Sequence, residues 1–90
     1  MRFLVRWDPD AFHRLLQDFN AANKPVSGIR AFNDIELLLG ADADVQGESR
    51  EGNRRILIVP PLGVIFEARP DIAEVLILDA WVIADRSGRN

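Results

Sequence analysis

Gly47-Glu48-Ser49-Arg50, then Arg54-Arg55-Ile56-Leu57-Ile58-Val59-Pro60-Pro61-Leu62-Gly63-Val64-Ile65-Phe66, then Val75-Leu76-Ile77-Leu78-Asp79-Ala80-Trp81: this stretch decides the fold. Three apolar runs, rich in β-branched residues and separated by short turns, predict three consecutive antiparallel strands at 54–60, 63–69 and 74–83. Pro60-Pro61-Leu62-Gly63 makes the first turn and Pro70-Asp71 the second. The basic pair Arg54 and Arg55 stands at the mouth of the first of these strands.

Upstream, Arg2 to Trp7 alternates, with Phe3, Val5 and Trp7 on one face and Arg2, Leu4 and Arg6 on the other, as a half-buried strand does. Asp8-Pro9-Asp10 then starts a helix, with Asp8 as N-cap and Pro9 at the first helical position. Phe12, Leu15, Leu16 and Phe19 form its apolar stripe, and the helix frays from Asn20 to Asn23 before Pro25. Ser27-Gly28 opens a second helix with Ile29, Phe32, Ile35, Leu38 and Leu39 as its buried stripe and Gly40 as its cap. Residues 41–53 lack periodicity and carry Asp42, Asp44, Glu48 and Glu51, which predicts a polar, mobile connection. The tail Asp85 to Asn90 is polar and is expected to fray. The order is β-α-α-β-β-β, one α+β domain over 1–90 with a helical hairpin packed on one face of a small, mainly antiparallel sheet.

Composition bounds the function. Ninety residues hold one core, burying about 60–65% of the unfolded surface, so stability is expected to be marginal. Absence of cysteine removes disulfides and thiolate metal sites, and one histidine rules out a His cluster, so neither metal nor cofactor is expected. Met1-Arg2-Phe3-Leu4-Val5 is too short and too soon charged for a signal peptide. No apolar run approaches the ~20 residues of a membrane span. A soluble, cytoplasmic protein is the expectation.

The net charge of −3 excludes a general nucleic-acid coat. The cations are nevertheless arginines except for Lys24, and arginine is the better residue for planar pairing with phosphate or carboxylate. Strand alternation predicts an open sheet face bearing Arg55, Glu67, Arg69 and Asp79, joined by Arg2 and Arg6 from the first strand. Asp79 is assigned the face of Ile77 and Trp81, where a carboxylate needs a partner. Arg54 and Arg55 read either as a phosphate clamp or as solvated residues pairing with Glu48 or Glu51. His13 lies about 110° from the centre of its helix stripe and reads as a flanking surface residue. Trp7 and Trp81 read as core or interface filling before base stacking.

The β-α-α-β-β-β order, the Asp8-Pro9 helix start, the Gly47-Glu48-Ser49-Arg50 approach and the Pro61-Leu62-Gly63-Val64-Ile65-Phe66 hairpin together resemble the RelE/ParE superfamily, across roughly Arg2 to Val82. These are small toxins of bacterial toxin–antitoxin and plasmid-stabilisation modules. The resemblance implies a cognate antitoxin as partner, with messenger RNA on the ribosome or DNA gyrase as target. For the nuclease branch it implies metal-independent RNA cleavage, with Arg50, Arg54 and Arg6 binding phosphate and Arg55, Arg69, Glu67 and Asp79 at the reacting group. That branch tends to place an arginine where this chain has Gly63, and a basic, aromatic cluster where it has Trp81-Val82-Ile83. Without tyrosine and with a single lysine, the chain also supports an alternative, a non-catalytic binding module acting through protein contacts, gyrase-type inhibition among them. A homodimer is compatible with the small core.

Overall fold

A computed structural model describes residues 2–22, 25–50 and 52–83; Lys24, Glu51 and the tail Asp85 to Asn90 lie outside the described residues. The elements are β1 (Leu4–Trp7), α1 (Pro9–Ala22), α2 (Pro25–Asp42), β2 (Glu48–Ser49), β3 (Arg54–Val59), β4 (Leu62–Arg69), a 3-10 turn (Pro70–Ile72) and β5 (Glu74–Val82). They form an α+β fold in which two helices cover one face of a five-stranded mixed sheet ordered β1-β5-β4-β3-β2. β1 runs parallel to β5, and the other neighbours are antiparallel.

Local chemistry sets the helix starts. The Asp8 carboxylate accepts the Ala11 amide at 3.1 Å, the N-cap bond that the sequence predicts. The second helix opens at Pro25, two residues before Ser27, because proline lacks only an N–H that the first helical turn leaves unused. It also runs past Gly40 to Asp42. Gly40 is therefore no cap; its carbonyl accepts the Phe3 amide at 2.7 Å and ties the helix end to the start of β1.

The core lies between helices and sheet. Leu15, Ile35, Leu39, Leu62, Val64, Phe66, Val75 and Ile77 are fully buried, each stabilising the fold by roughly 1.5–3 kcal/mol before entropy is counted. The helix stripes are wider than the sheet can cover. Ala11 and Leu15 face it from α1, and Ala31, Ile35 and Leu39 from α2, whereas Phe12 and Leu16 remain exposed, as do Ile29 and Leu38, contrary to the buried stripe expected of α2.

Two further departures shape the site. Residues 41–53 are not all loop: Ala43 is fully buried, and Glu48–Ser49 pairs with β3 as an edge strand. The β4–β5 ladder shifts register between Ile65 and Phe66, which face Asp79 and Ile77 and leave Leu78 as the extra residue. Beyond this bulge the phase of β5 reverses, so Val75 and Ile77 share the core face with Ala80 rather than with Asp79.

Candidate functional site

The face of the sheet away from the helices has two halves, legible in the strand register. At one end Arg54, Glu67, Leu76 and Arg6 stand in one cross-strand row, and Arg69, Glu74 and Leu4 in the next. At the other end Ile56 and Ile65 stand in one row between Glu48 and Asp79, Ile58 lies opposite Gly63, and the Trp81 indole covers Gly63. One half is a checkerboard of charges and the other is apolar between two flanking carboxylates.

The charges are mutually satisfied. Arg6 reaches Glu74 at 3.4 Å, and Arg69 Nε donates to Glu67 at 3.2 Å. Arg50 pairs with Glu48 at 3.2 Å on the neighbouring edge, and its amide donates to the Arg54 carbonyl. Glu48 thus engages Arg50 rather than Arg54 or Arg55. Arg54 alone of these arginines has no ion-pair partner among the described residues. It lines a shallow depression of about 320 Å³ with Gly52, Asn53 and Glu67.

Arg55 is a correction. It is paired with Phe66 and shares the helix-side face with Leu57, so it points away from Arg54, as adjacent strand residues must. Its guanidinium donates to the carbonyls of Gln46 at 2.6 Å and Gly47 at 3.0 Å and to Ser49 Oγ at 3.4 Å. It fastens the loop leading into β2, and the second depression, about 230 Å³, lies beside it with Asp44, Ser49 and Ala68 in its lining. Arg54 and Arg55 leave the strand on opposite faces, and both line this second depression.

Asp79 is a correction in part: the register keeps it on the open face with Ile65 and Trp81, as expected, but not with Ile77. The bulge separates it from Ile77, and its carboxylate accepts Arg14 of α1 at 2.9 Å and the Ala80 amide at 2.9 Å. β1 pairs with β5 only as far as Ile77, so the Asp79 carboxylate satisfies an amide on the edge that β1 leaves open. The bond to Asp79 holds the Arg14 guanidinium above its ordinary value, and nearby acids add to this. That group stays charged at any physiological pH.

The remaining candidates are separated. Arg2 is exposed ahead of β1. His13 is exposed on α1 within reach of Gln17 at 3.4 Å, on the helix layer and away from the charged end. Trp7 belongs to the core side, stacked on Phe32 with centroids 5.0 Å apart and donating its indole N–H to Glu36 at 2.8 Å. No group of acidic or histidine side chains able to hold a metal ion occurs among the described residues, and no described helix is long and apolar enough to cross a membrane.

No protein-family model matches the chain, and no curated protein matches it. The site must speak for itself. Among the described residues, its charged half offers one guanidinium without an ion-pair partner, Arg54, and no histidine or tyrosine beside it. Its other half exposes apolar side chains, Ile58 among them. Asn53, which lines both depressions, escaped the sequence reading because a short polar turn carries no chemical motif, and Ser49 entered it only as part of the approach to the strands.

Proposed function

We propose that the protein is the toxin component of a bacterial toxin–antitoxin pair, a RelE/ParE-like module that works by protein–protein contact through the open face of its sheet. The element order supports the family. The mode of action rests on one observation: Ile56, Ile58, Ile65 and Trp81 occupy the face that no layer covers. Strands apolar on both faces are characteristic of sheets covered on both sides, and a contiguous apolar patch marks an interaction surface. The charged half favours the same reading, because Arg6 and Arg69 are already paired with carboxylates and attract phosphate less strongly than free guanidiniums would.

The test is controlled induction of the chain alone in bacteria, with folded protein confirmed. Growth arrest relieved by co-expressing the adjacent gene is expected. Normal growth with abundant folded protein would remove the toxin assignment. Ile58→Glu should abolish arrest or its relief, whereas Arg54→Ala combined with Arg69→Ala should leave both.

A second reading is favoured by Arg54 beside its depression: metal-independent cleavage of messenger RNA, with Arg54, Arg50 and Arg69 contacting phosphate. It predicts the opposite, namely loss of arrest in the double arginine variant and new RNA ends in the wild type.

A further inference from the structure

The outer side of β5 is paired along only part of its length. β1 accompanies it from Glu74 to Ile77, and the last rung is the Asp8 amide donating to the Ile77 carbonyl at 2.9 Å. Asp8-Pro9 then turns the chain into α1, so among the described residues no strand pairs with that side from Leu78 to Val82. On the inner side Asp79 and Trp81 stand opposite Ile65 and Gly63 of β4, and the Ile83 amide donates to the Pro61 carbonyl at 2.7 Å. By the alternation of an antiparallel ladder, the main-chain groups of Ala80 and Val82 therefore point outward, to where a further strand would lie.

One of these groups is occupied. The Ala80 amide donates to Oδ1 of Asp79 at 2.9 Å, and the same oxygen accepts Arg14 Nη2 at 2.9 Å. Asp79 leaves its strand on the open face, whereas Arg14 belongs to α1 in the opposite layer. Two such groups can meet only around the rim of the sheet. The carboxylate thus sits where the carbonyl of a neighbouring strand would accept the Ala80 amide, with the guanidinium beside it. Both side chains are about half exposed, and an ion pair so placed contributes little to stability. Its consequence is the filling of the edge.

The segment behind the pair is suited to strand addition. Val75 to Ile83 is apolar and rich in β-branched residues, with Asp79 as its one charge, the composition of a strand that joins another sheet unless a charge prevents it. Antiparallel to its own copy it sets Ala80 opposite Val82 and Trp81 opposite Trp81, which joins main-chain groups and an aromatic pair with no like charges opposed. We propose that the Arg14–Asp79 pair is a guard on the sheet edge, and that the outer side of β5 it closes is a latent site for strand addition by a second copy of this chain.

The experiment is sedimentation equilibrium of the full chain from about 10 to about 500 μM, a range in which weak association shows. Wild type should keep the 10.1 kDa of one chain throughout. Asp79→Ala should rise toward twice that mass or beyond with a native circular-dichroism spectrum. Arg14→Ala, which leaves the carboxylate on the Ala80 amide, should rise less. Adding Val82→Pro to Asp79→Ala should restore the monomer, because proline there removes an outward N–H and leaves the β4 ladder intact. Aggregation of a merely destabilised chain would not be relieved in this way. A wild type that associates as strongly as Asp79→Ala, a folded Asp79→Ala that stays monomeric, or association that persists with Val82→Pro overturns the proposal. If Asp79→Ala loses its native spectrum, Arg14→Ala decides alone, and a monomer there overturns it too.

Discussion

A methyl group on Gly63 would sit 2.6 to 2.9 Å from three atoms of the Trp81 indole. Glycine is required here by a neighbour rather than by its own backbone, and the ring in turn shields the strand from water. Gly63→Ala should cost about 1–3 kcal/mol through this overpacking. In a Trp81→Ala background the same change should cost at least ~1 kcal/mol less, since residues in contact couple. Urea unfolding of the four proteins measures the coupling, and additivity within ~0.3 kcal/mol would refute it. An arginine at position 63 would likewise have to displace the indole before reaching any phosphate. Arg55 makes a parallel case: losing its three hydrogen bonds to the 46–49 loop should cost about 1–3 kcal/mol. Arg55→Lys should recover little, because a point ammonium cannot reproduce the fork. Arg54→Ala should stay within ~0.5 kcal/mol of wild type, and equal effects at the two positions would contradict their assignment to opposite faces.

At the scale of the element, β2 depends on Gly47. Its φ of +72° lies in the left-handed region, and a Cβ there would collide with the Ile56 carbonyl. Gly47→Ala should release β2 while leaving the β4–β5 ladder intact. Hydrogen exchange checks this at the Arg50 amide, which donates to the Arg54 carbonyl at 2.8 Å; unchanged protection there would refute it. β2 also shows what a sequence conceals. Glu48–Ser49 is two exposed polar residues without apolar alternation, held by its turn and its partner strand rather than by burial. The succession of elements, the antiparallel pairing of consecutive strands, the turns and the Asp8 cap were legible because each has a local cause, whereas the parallel pairing of β1 with β5 joins distant segments and was not. The bulge was not: Val75-Leu76-Ile77-Leu78 is apolar throughout, so one extra residue leaves no break in the pattern. The same continuity in Ile56-Leu57-Ile58-Val59 hid the side on which Arg55 stands. The stripe of α2 was read correctly at Ile35 and Leu39 and wrongly as buried at Ile29 and Leu38, because periodicity gives the width of a stripe but not how much of it the sheet covers.

Across the whole molecule, neighbouring residues separate folding from binding. Leu57 points into the core and Ile58, 48% exposed, points out of the open face. Leu57→Ala should cost about 2–5 kcal/mol, lowering the melting temperature by at least about 8 °C in a domain this size. Ile58→Glu should leave the melting temperature of the isolated chain nearly unchanged, because it alters a side chain already half in water. The two variants should exchange roles when the partner is present. A partner at one hundred times its dissociation constant adds about 2.7 kcal/mol of stability to the chain that binds it, or roughly 10–20 °C. On the proposed open-face contact, Ile58→Glu forfeits that gain, since a carboxylate buried against apolar side chains has no cation within the apolar half to meet it. Leu57→Ala keeps the gain above its lower baseline. Paired thermal melts of wild type and both variants, with and without the product of the adjacent gene, decide the matter. If Ile58→Glu retains the full rise, the working surface lies on another face of the molecule.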